Sequence, residues 1–265
     1  MRVGYLQFRP FFGEPERNIE RILELTQNID FDLLVMPELS NSGYLFSAKE
    51  ELKKTAEQVP EGRFCKAITN LSKEKNAYIV CGLAEKSADK FYNSSILAYP
   101  NGETKLYRKI HLFNEEKLWF EPGNRPFEVH EITVDGKKIY AGMMICYDWL
   151  YPESARTLAM KGAQIICHPS NLVMPYCQDA MYARAIENRV FTITSNRIGT
   201  EKNAEKELFF TGQSVILDPK GRYLRRGPSD EEECFIVHIE PAMALNKKMN
   251  EHNSIFDDRR EEMYK

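Results

Sequence analysis

What the 265-residue chain lacks narrows it first. No stretch approaches the roughly 20 apolar residues of a membrane-spanning helix. The N-terminus, MRVGYLQFRPFFGE, has no sustained apolar run of the kind a secretory signal needs. Charge is nearly balanced, 36 Lys and Arg against 39 Asp and Glu, for a net −3. That balance gives no electrostatic footprint for nucleic acid or for a membrane surface. The six cysteines, at 65, 81, 146, 167, 177 and 234, include no CxxC pair, so neither a metal ribbon nor a redox pair is indicated. Cys167 and His168 are neighbours on an expected strand, where successive side chains point to opposite faces, which speaks against a shared metal. Repeats, low-complexity tracts and a convincing linker are also missing. What remains is the expectation of a cytoplasmic protein with reduced cysteines and a single domain over 1–265.

What is present is core material. Apolar residues make up 43% of the chain, enough for one large α/β domain or two small ones. Alternation predicts a strand over 2–9 and helical spacing a helix over 14–28. The all-apolar run 32–37 reads as a strand covered on both faces. Helices are expected over 47–58 and 62–75, then a strand over 78–84. Asn101-Gly102 between alternating runs predicts a hairpin of 91–99 with 104–112. Strands are expected over 127–134 and 138–145, a helix from Pro152, a strand over 163–168, a helix over 179–188 and a strand over 190–196. The polar segment 199–208 reads as a mobile loop. A second hairpin, 211–217 with 222–226, and a strand over 234–239 complete the pattern. The tail 241–265 is too poor in apolar residues to build a core alone. Two sheets, each covered outside by helices, account for this order better than one sheet.

Three expected strand ends carry reactive groups. Glu38 follows the buried strand 32–37, where open α/β sheets place ligands; a surface glutamate on a loop is the plainer reading. Lys109 lies in the second arm of the first hairpin, and its plainer reading is an outward-facing strand lysine. His111 falls on the same face of an ideal strand and reads as a hydrogen-bonded support. Cys146 ends the run Tyr140–Ile145, just ahead of a helix that starts at Pro152, a residue suited to a first helical turn. Such a corner leaves N–H groups unpaired and offers a positive dipole end. A thiol there can be held as thiolate and attack a carbon whose developing charge those N–H groups meet. A small buried core residue is the alternative for the same cysteine.

Taken together, the stretches LVMPE (34–38), YRKIHL (107–112), ICYDW (145–149), Pro152-Glu153 with Arg156, HPSN (168–171) and RAIENR (184–189) resemble the nitrilase superfamily of carbon–nitrogen hydrolases. The resemblance extends from the first strand to the tail. KIHLF, FEPG, NLVMPY and IFDDRREE are similar to its archaeal nitrilase branch, whereas Cys-Tyr-Asp is closer to its amidase and carbamoylase branches. The resemblance implies a four-layer αββα sandwich, a homodimer or higher homo-oligomer with the tail at an interface, and neither metal nor organic cofactor. It implies Cys146 as nucleophile, Glu38 as general base, Lys109 as cationic stabiliser and Glu116 as second acid. Glu116 is preferred to Glu115 by its spacing to Phe120-Glu121-Pro122-Gly123. Tyr147, through its backbone N–H, and Asn171 are expected at the substrate. Tyr44, Phe113, Trp119, Trp149 and Met174 are expected to shape the pocket or the core. Arg184 and Glu187 read as an i, i+3 ion pair.

The substrate expectation is a small aliphatic amide or ω-amide, cleaved to acid and ammonia. An aliphatic nitrile and an N-carbamoyl amide are the alternatives; the last would want an arginine in the pocket, with Arg197 the candidate by position. A nitrilase-like binding subunit without catalysis is the alternative from another class, and a redox or metal protein has no ligand spacing behind it.

Overall fold

Leu33-Leu34-Val35 shows how the layers arise. Leu33 and Val35 point into a core shared with Ile165 and Ile193, while Leu34 packs with Ile22, Phe64 and Ile68 of two helices. A strand buried on both faces has no polar side to present, which is why this run is apolar throughout. In the computed structural model, which describes residues 1–264, this arrangement is repeated across two six-stranded sheets.

The first part of the chain runs β1 (Arg2–Gln7), α1 (Pro15–Thr26), β2 (Leu33–Val35), α2 (Lys49–Thr55), α3 (Arg63–Lys75), β3 (Tyr78–Ser87), β4 (Lys90–Ala98), β5 (Thr104–Arg108) and α4 (Glu116–Trp119). The second part runs β6 (Val129–Val134), β7 (Lys137–Met143), α5 (Pro152–Met160), β8 (Ile165–Ser170), α6 (Cys177–Asn188), β9 (Phe191–Asn196), β10 (Ile198–Asn203), β11 (Lys206–Thr211), β12 (Val215–Leu217), β13 (Tyr223–Arg226) and β14 (Glu233–His238). One sheet has the order β14-β1-β2-β3-β4-β5 and the other β13-β12-β9-β8-β7-β6, with β10 and β11 a separate hairpin. The sheets face each other through a common core, and helices cover their outer sides, an αββα sandwich. Pro15 and Pro152 each open a helix, where a missing N–H costs nothing. Within β1, Tyr5 lies between Phe235 of antiparallel β14 and Val35 of parallel β2.

Three expectations need correction, and each bears on the site. The expected strand over 104–112 stops at Arg108. The chain then leaves the sheet, and the Lys109 carbonyl is taken by the Gly123 N–H at 2.8 Å. His111 therefore does not share a strand face with Lys109. The expected strand over 138–145 stops at Met143, and Cys146 opens a five-residue 3-10 helix, Cys146–Leu150, rather than leading straight into α5. The segment 199–208 is not a mobile loop but most of the β10–β11 hairpin. Its inward position Glu201 is buried, accepting from the Tyr44 and Leu45 N–H groups at 2.8 and 2.6 Å and pairing with Arg197 at 2.8 Å. A charge in the place of an apolar residue hid the strand pattern.

The tail lies on the body. Lys247 donates to the carbonyls of Asn188 and Arg189 at 3.0 and 2.9 Å, and Phe256 packs against the core. Arg184 and Glu187 pair at 2.7 Å on α6. No helix of the described residues is long and apolar enough to cross a membrane.

Candidate active site

The ends of four strands from both sheets meet at one place. Glu38 follows β2, Lys109 follows β5, Cys146 lies beyond β7 and Asn171 follows β8. Two glycines allow the first pair to get there. A Cβ on Gly82 of β3 would stand 2.5 Å from the Glu38 Cα, so this close backbone approach requires glycine. A Cβ on Gly123, in the FEPG stretch, would stand 2.1 Å from the Arg108 carbonyl oxygen and 3.0 Å from that of Lys109.

Lys109 is fully buried between two acids. Its Nζ donates to Glu38 Oε1 at 2.7 Å and to Glu116 Oε1 at 2.8 Å. Asn93 Nδ2 adds a second donor to Glu38 Oε1 at 2.6 Å, and the Tyr44 hydroxyl a second donor to Glu116 Oε1 at 2.8 Å. Glu38 Oε2 is buried and has no partner among the described residues. Burial works against the Lys109 ammonium, but the charges of Glu116 and Glu38 outweigh it, and the lysine holds its proton more tightly than usual. Burial pushes the Glu116 carboxyl up to about 7 even though Lys109 pulls it down. Glu115, its neighbour, pairs instead with Lys206 at 2.6 Å.

The Cys146 corner is held from two sides. Cys146 itself has a left-handed backbone, φ 39°, an uncommon conformation for a side chain larger than glycine. The Asp148 carboxylate accepts from the Ile145 N–H at 2.8 Å, the Tyr107 hydroxyl at 2.7 Å and the His111 N–H at 3.2 Å, and meets His111 Nδ1 at 2.7 Å. It thus ties the Cys146 turn to the Lys109 segment. On the other side, His168 Nε2 lies 2.9 Å from the Cys146 carbonyl oxygen and Nδ1 lies 3.0 Å from Thr194 Oγ1. A carbonyl only accepts, so Nε2 carries the proton and Nδ1 accepts from the Thr194 hydroxyl. Burial lowers His168 to about 4, which keeps the ring neutral.

Burial raises Cys146 well above the ordinary thiol value and the Glu38 charge raises it further, against the pull of Lys109 and of the Asn171 N–H. Burial and the Glu38 charge both favour the protonated thiol over the thiolate. The helix that starts at this corner is the 3-10 helix Cys146–Leu150, and α5 begins six residues later, at Pro152.

Two cavities share Phe113 and Val173. One, of about 160 Å³, is lined by Cys146, Tyr147, Trp149, Asn171 and Met174; the other, of about 260 Å³, by Tyr44, Glu116 and Trp119. Arg197 is not among their lining residues: it is fully buried, pairs with Glu201 and stacks 4.0 Å from the Phe210 ring centre. Sequence reasoning missed Asn93 and the roles of Asp148 and His168 at the corner. Their partners are remote in the chain, so no local pattern marks them. No group of three or more His, Cys, Asp or Glu able to hold a metal occurs among the described residues.

A four-layer αββα sandwich with a thiol, a lysine and two acids gathered at its strand ends is the architecture of a hydrolase class. The Carbon-nitrogen hydrolase family matches residues 2–246, and the chain belongs to that family, within the nitrilase superfamily. It is 42% identical to a nitrilase of Pyrococcus abyssi (strain GE5 / Orsay), over 100% of this chain and 99% of that protein. It is 34% identical to an (R)-stereoselective amidase of Pseudomonas sp, over 87% of this chain and 82% of the relative. An amidase from Nesterenkonia sp. shares the fold, with a TM-score of 0.79 over 99% of this chain and 94% of the other at 24% identity.

Proposed function

We propose that this carbon–nitrogen hydrolase cleaves a small aliphatic amide or ω-amide to the acid and ammonia through a thioester on Cys146. The observation that carries the reading is the free, buried Oε2 of Glu38, in a carboxylate whose other oxygen is fixed by Lys109 and Asn93. A buried acceptor kept free, on a carboxylate near enough for its charge to act on the Cys146 thiol, is suited to take that proton. As the Cys146 sulfur bonds to the amide carbon, Glu38 takes the thiol proton. The oxyanion is met by the Lys109 ammonium and by the backbone N–H of Tyr147, in the first turn of the 3-10 helix. Glu38 then gives the proton to the leaving nitrogen as the C–N bond breaks, and ammonia departs. Water attacks the thioester with Glu38 again taking a proton, the C–S bond breaks, and the thiol is restored. Glu116 is the second acid, oriented by Lys109 and Tyr44.

A nitrile, passing through a thioimidate, is the second reading, favoured by the 42% identity to the Pyrococcus nitrilase. The N-carbamoyl reading loses its candidate, because Arg197 is already engaged by Glu201. The enzyme is read as an intracellular homodimer. All six cysteines are free, and the end of the chain exposes Leu245, Met249, Met263 and Tyr264 to a partner copy. Light scattering that gave a monomer would remove the dimer.

The test is ammonia release from a panel of short amides, ω-amides, N-carbamoyl compounds and nitriles, with Cys146→Ala alongside. Release from amides that vanishes in the variant is the expected result. Release from nitriles alone would move the assignment to the second reading. No release from any compound, with Cys146 inert to a thiol alkylator, would overturn catalysis in favour of a binding subunit.

A further inference from the structure

Asn171 follows β8 and lines the cavity that holds Cys146. It is 2% exposed, yet neither its Oδ1 nor its Nδ2 has a hydrogen-bond partner among the described residues. Burying a carboxamide with both ends unpaired is unfavourable, so such a residue needs an explanation. Holding the loop is not one, because other groups do that. The Leu172 N–H donates to Asn196 Oδ1 at 2.8 Å, and Asn196 Nδ2 donates to the Gly212 carbonyl at 2.7 Å. Much of the cavity wall is apolar, with Phe113, Leu172, Val173 and Met174. Asn171 and Cys146 line the same cavity, so a substrate seated on the thiol lies against the wall that Asn171 forms.

We infer that the substrate carries a second hydrogen-bonding group, one or two carbons from the reacting carbon, that pairs with the Asn171 carboxamide. The inference rests on the amide reading above and narrows it. The class is short amides bearing a hydroxyl or a second carbonyl or amide. A plain alkyl amide of the same shape fits the space but leaves both ends of Asn171 unpaired. A site with a buried polar group discriminates strongly against the analogue that lacks the matching one.

Two isosteric pairs test this: glycolamide against propionamide, and malonamide against 3-methylbutanamide. The expected result is a kcat/KM at least about 10-fold higher for the polar member of one pair or both. Asn171→Leu, shown by its melting curve to be folded, should bring that ratio to unity or below. Equal or inverted ratios in the wild type would overturn the inference, as would a ratio unchanged in the variant. Should Asn171→Leu not fold, the wild-type ratio and Asn171→Ala decide. Absence of ammonia from these four and from other short amides is a separate result, which overturns the amide reading and this inference with it.

Discussion

Arg108 and Lys109 are consecutive residues, both buried, both bound to carboxylates, and they are used differently. Arg108 donates twice to Glu85, which also accepts from Ser94 Oγ at 2.6 Å. Its remaining arm reaches Asn124 at 3.0 Å, and its guanidinium stacks 3.9 Å from the Tyr92 ring centre. No side-chain polar atom of Arg108 or Glu85 is left buried without a partner. Lys109 has two acids for one cation, and Glu38 Oε2 is left over. One cluster is a closed structural pair. The other retains an unused acceptor in a place where an unpaired group costs about 1–3 kcal/mol. Burial and charge are common to the two clusters; the unpaired acceptor beside a shared lysine is what distinguishes the second.

The comparison is sharpest when each cluster loses one acid charge without losing shape. Glu38→Gln should lower kcat/KM by about 1,000-fold or more, as expected when a general base is removed. Its stability should change little, because Glu116 still balances Lys109. Ammonia release and a urea unfolding curve read the two effects. Glu85→Gln should do the reverse, leaving the buried Arg108 uncompensated at a cost of roughly 3 kcal/mol in unfolding free energy, with kcat per folded molecule retained. A Glu85→Gln enzyme that is fully folded and as inactive as Glu38→Gln would erase the distinction.

A smaller effect tests the corner that presents the thiol. His168 Nε2 holds the Cys146 carbonyl, and a glutamine can place an N–H close to the same point, whereas an asparagine cannot reach it. His168→Asn should lower kcat by about 10- to 100-fold with KM nearly unchanged, the mark of an interaction felt in the transition state. His168→Gln should recover most of the loss. Equal losses in both variants would mean that His168 serves packing rather than the position of Cys146.

Sequence patterns exposed the parts of this molecule where local order and burial coincide. Leu33–Val35 is short and wholly apolar, so both the strand and the charged residue just past it stand out. Glu116 is preferred to Glu115 only through the family resemblance, by its spacing to the FEPG stretch. The β10–β11 hairpin was hidden because its inward Glu201 is paired with Arg197 and with two N–H groups of the Tyr44 loop, 157 and 156 residues away. Asp148 joins Tyr107 and His111 across 41 and 37 residues. A strand-to-helix corner suggests an anion-stabilising end; burial and the Glu38 charge, which oppose it, are brought to Cys146 only by the packed fold.

The finest prediction concerns the Tyr44 hydroxyl and the pH response of the Lys109 cluster. Burial raises the Glu116 carboxyl from 4.5 to about 7, and Tyr44 and Lys109 both act to lower it. Between these two values the folded chain binds a proton that the unfolded chain does not, so Glu116 makes stability fall as pH rises through that window. Glu116→Gln should flatten that slope. Tyr44→Phe removes one group that favours the carboxylate, so the Glu116 pKa must rise, and the limb of the kcat/KM profile near pH 7 should move to higher pH by less than about one unit. The direction does not depend on which protonation state of Glu116 is active. A limb that stays in place in Tyr44→Phe, or moves to lower pH, would show that the titration belongs to a group other than Glu116.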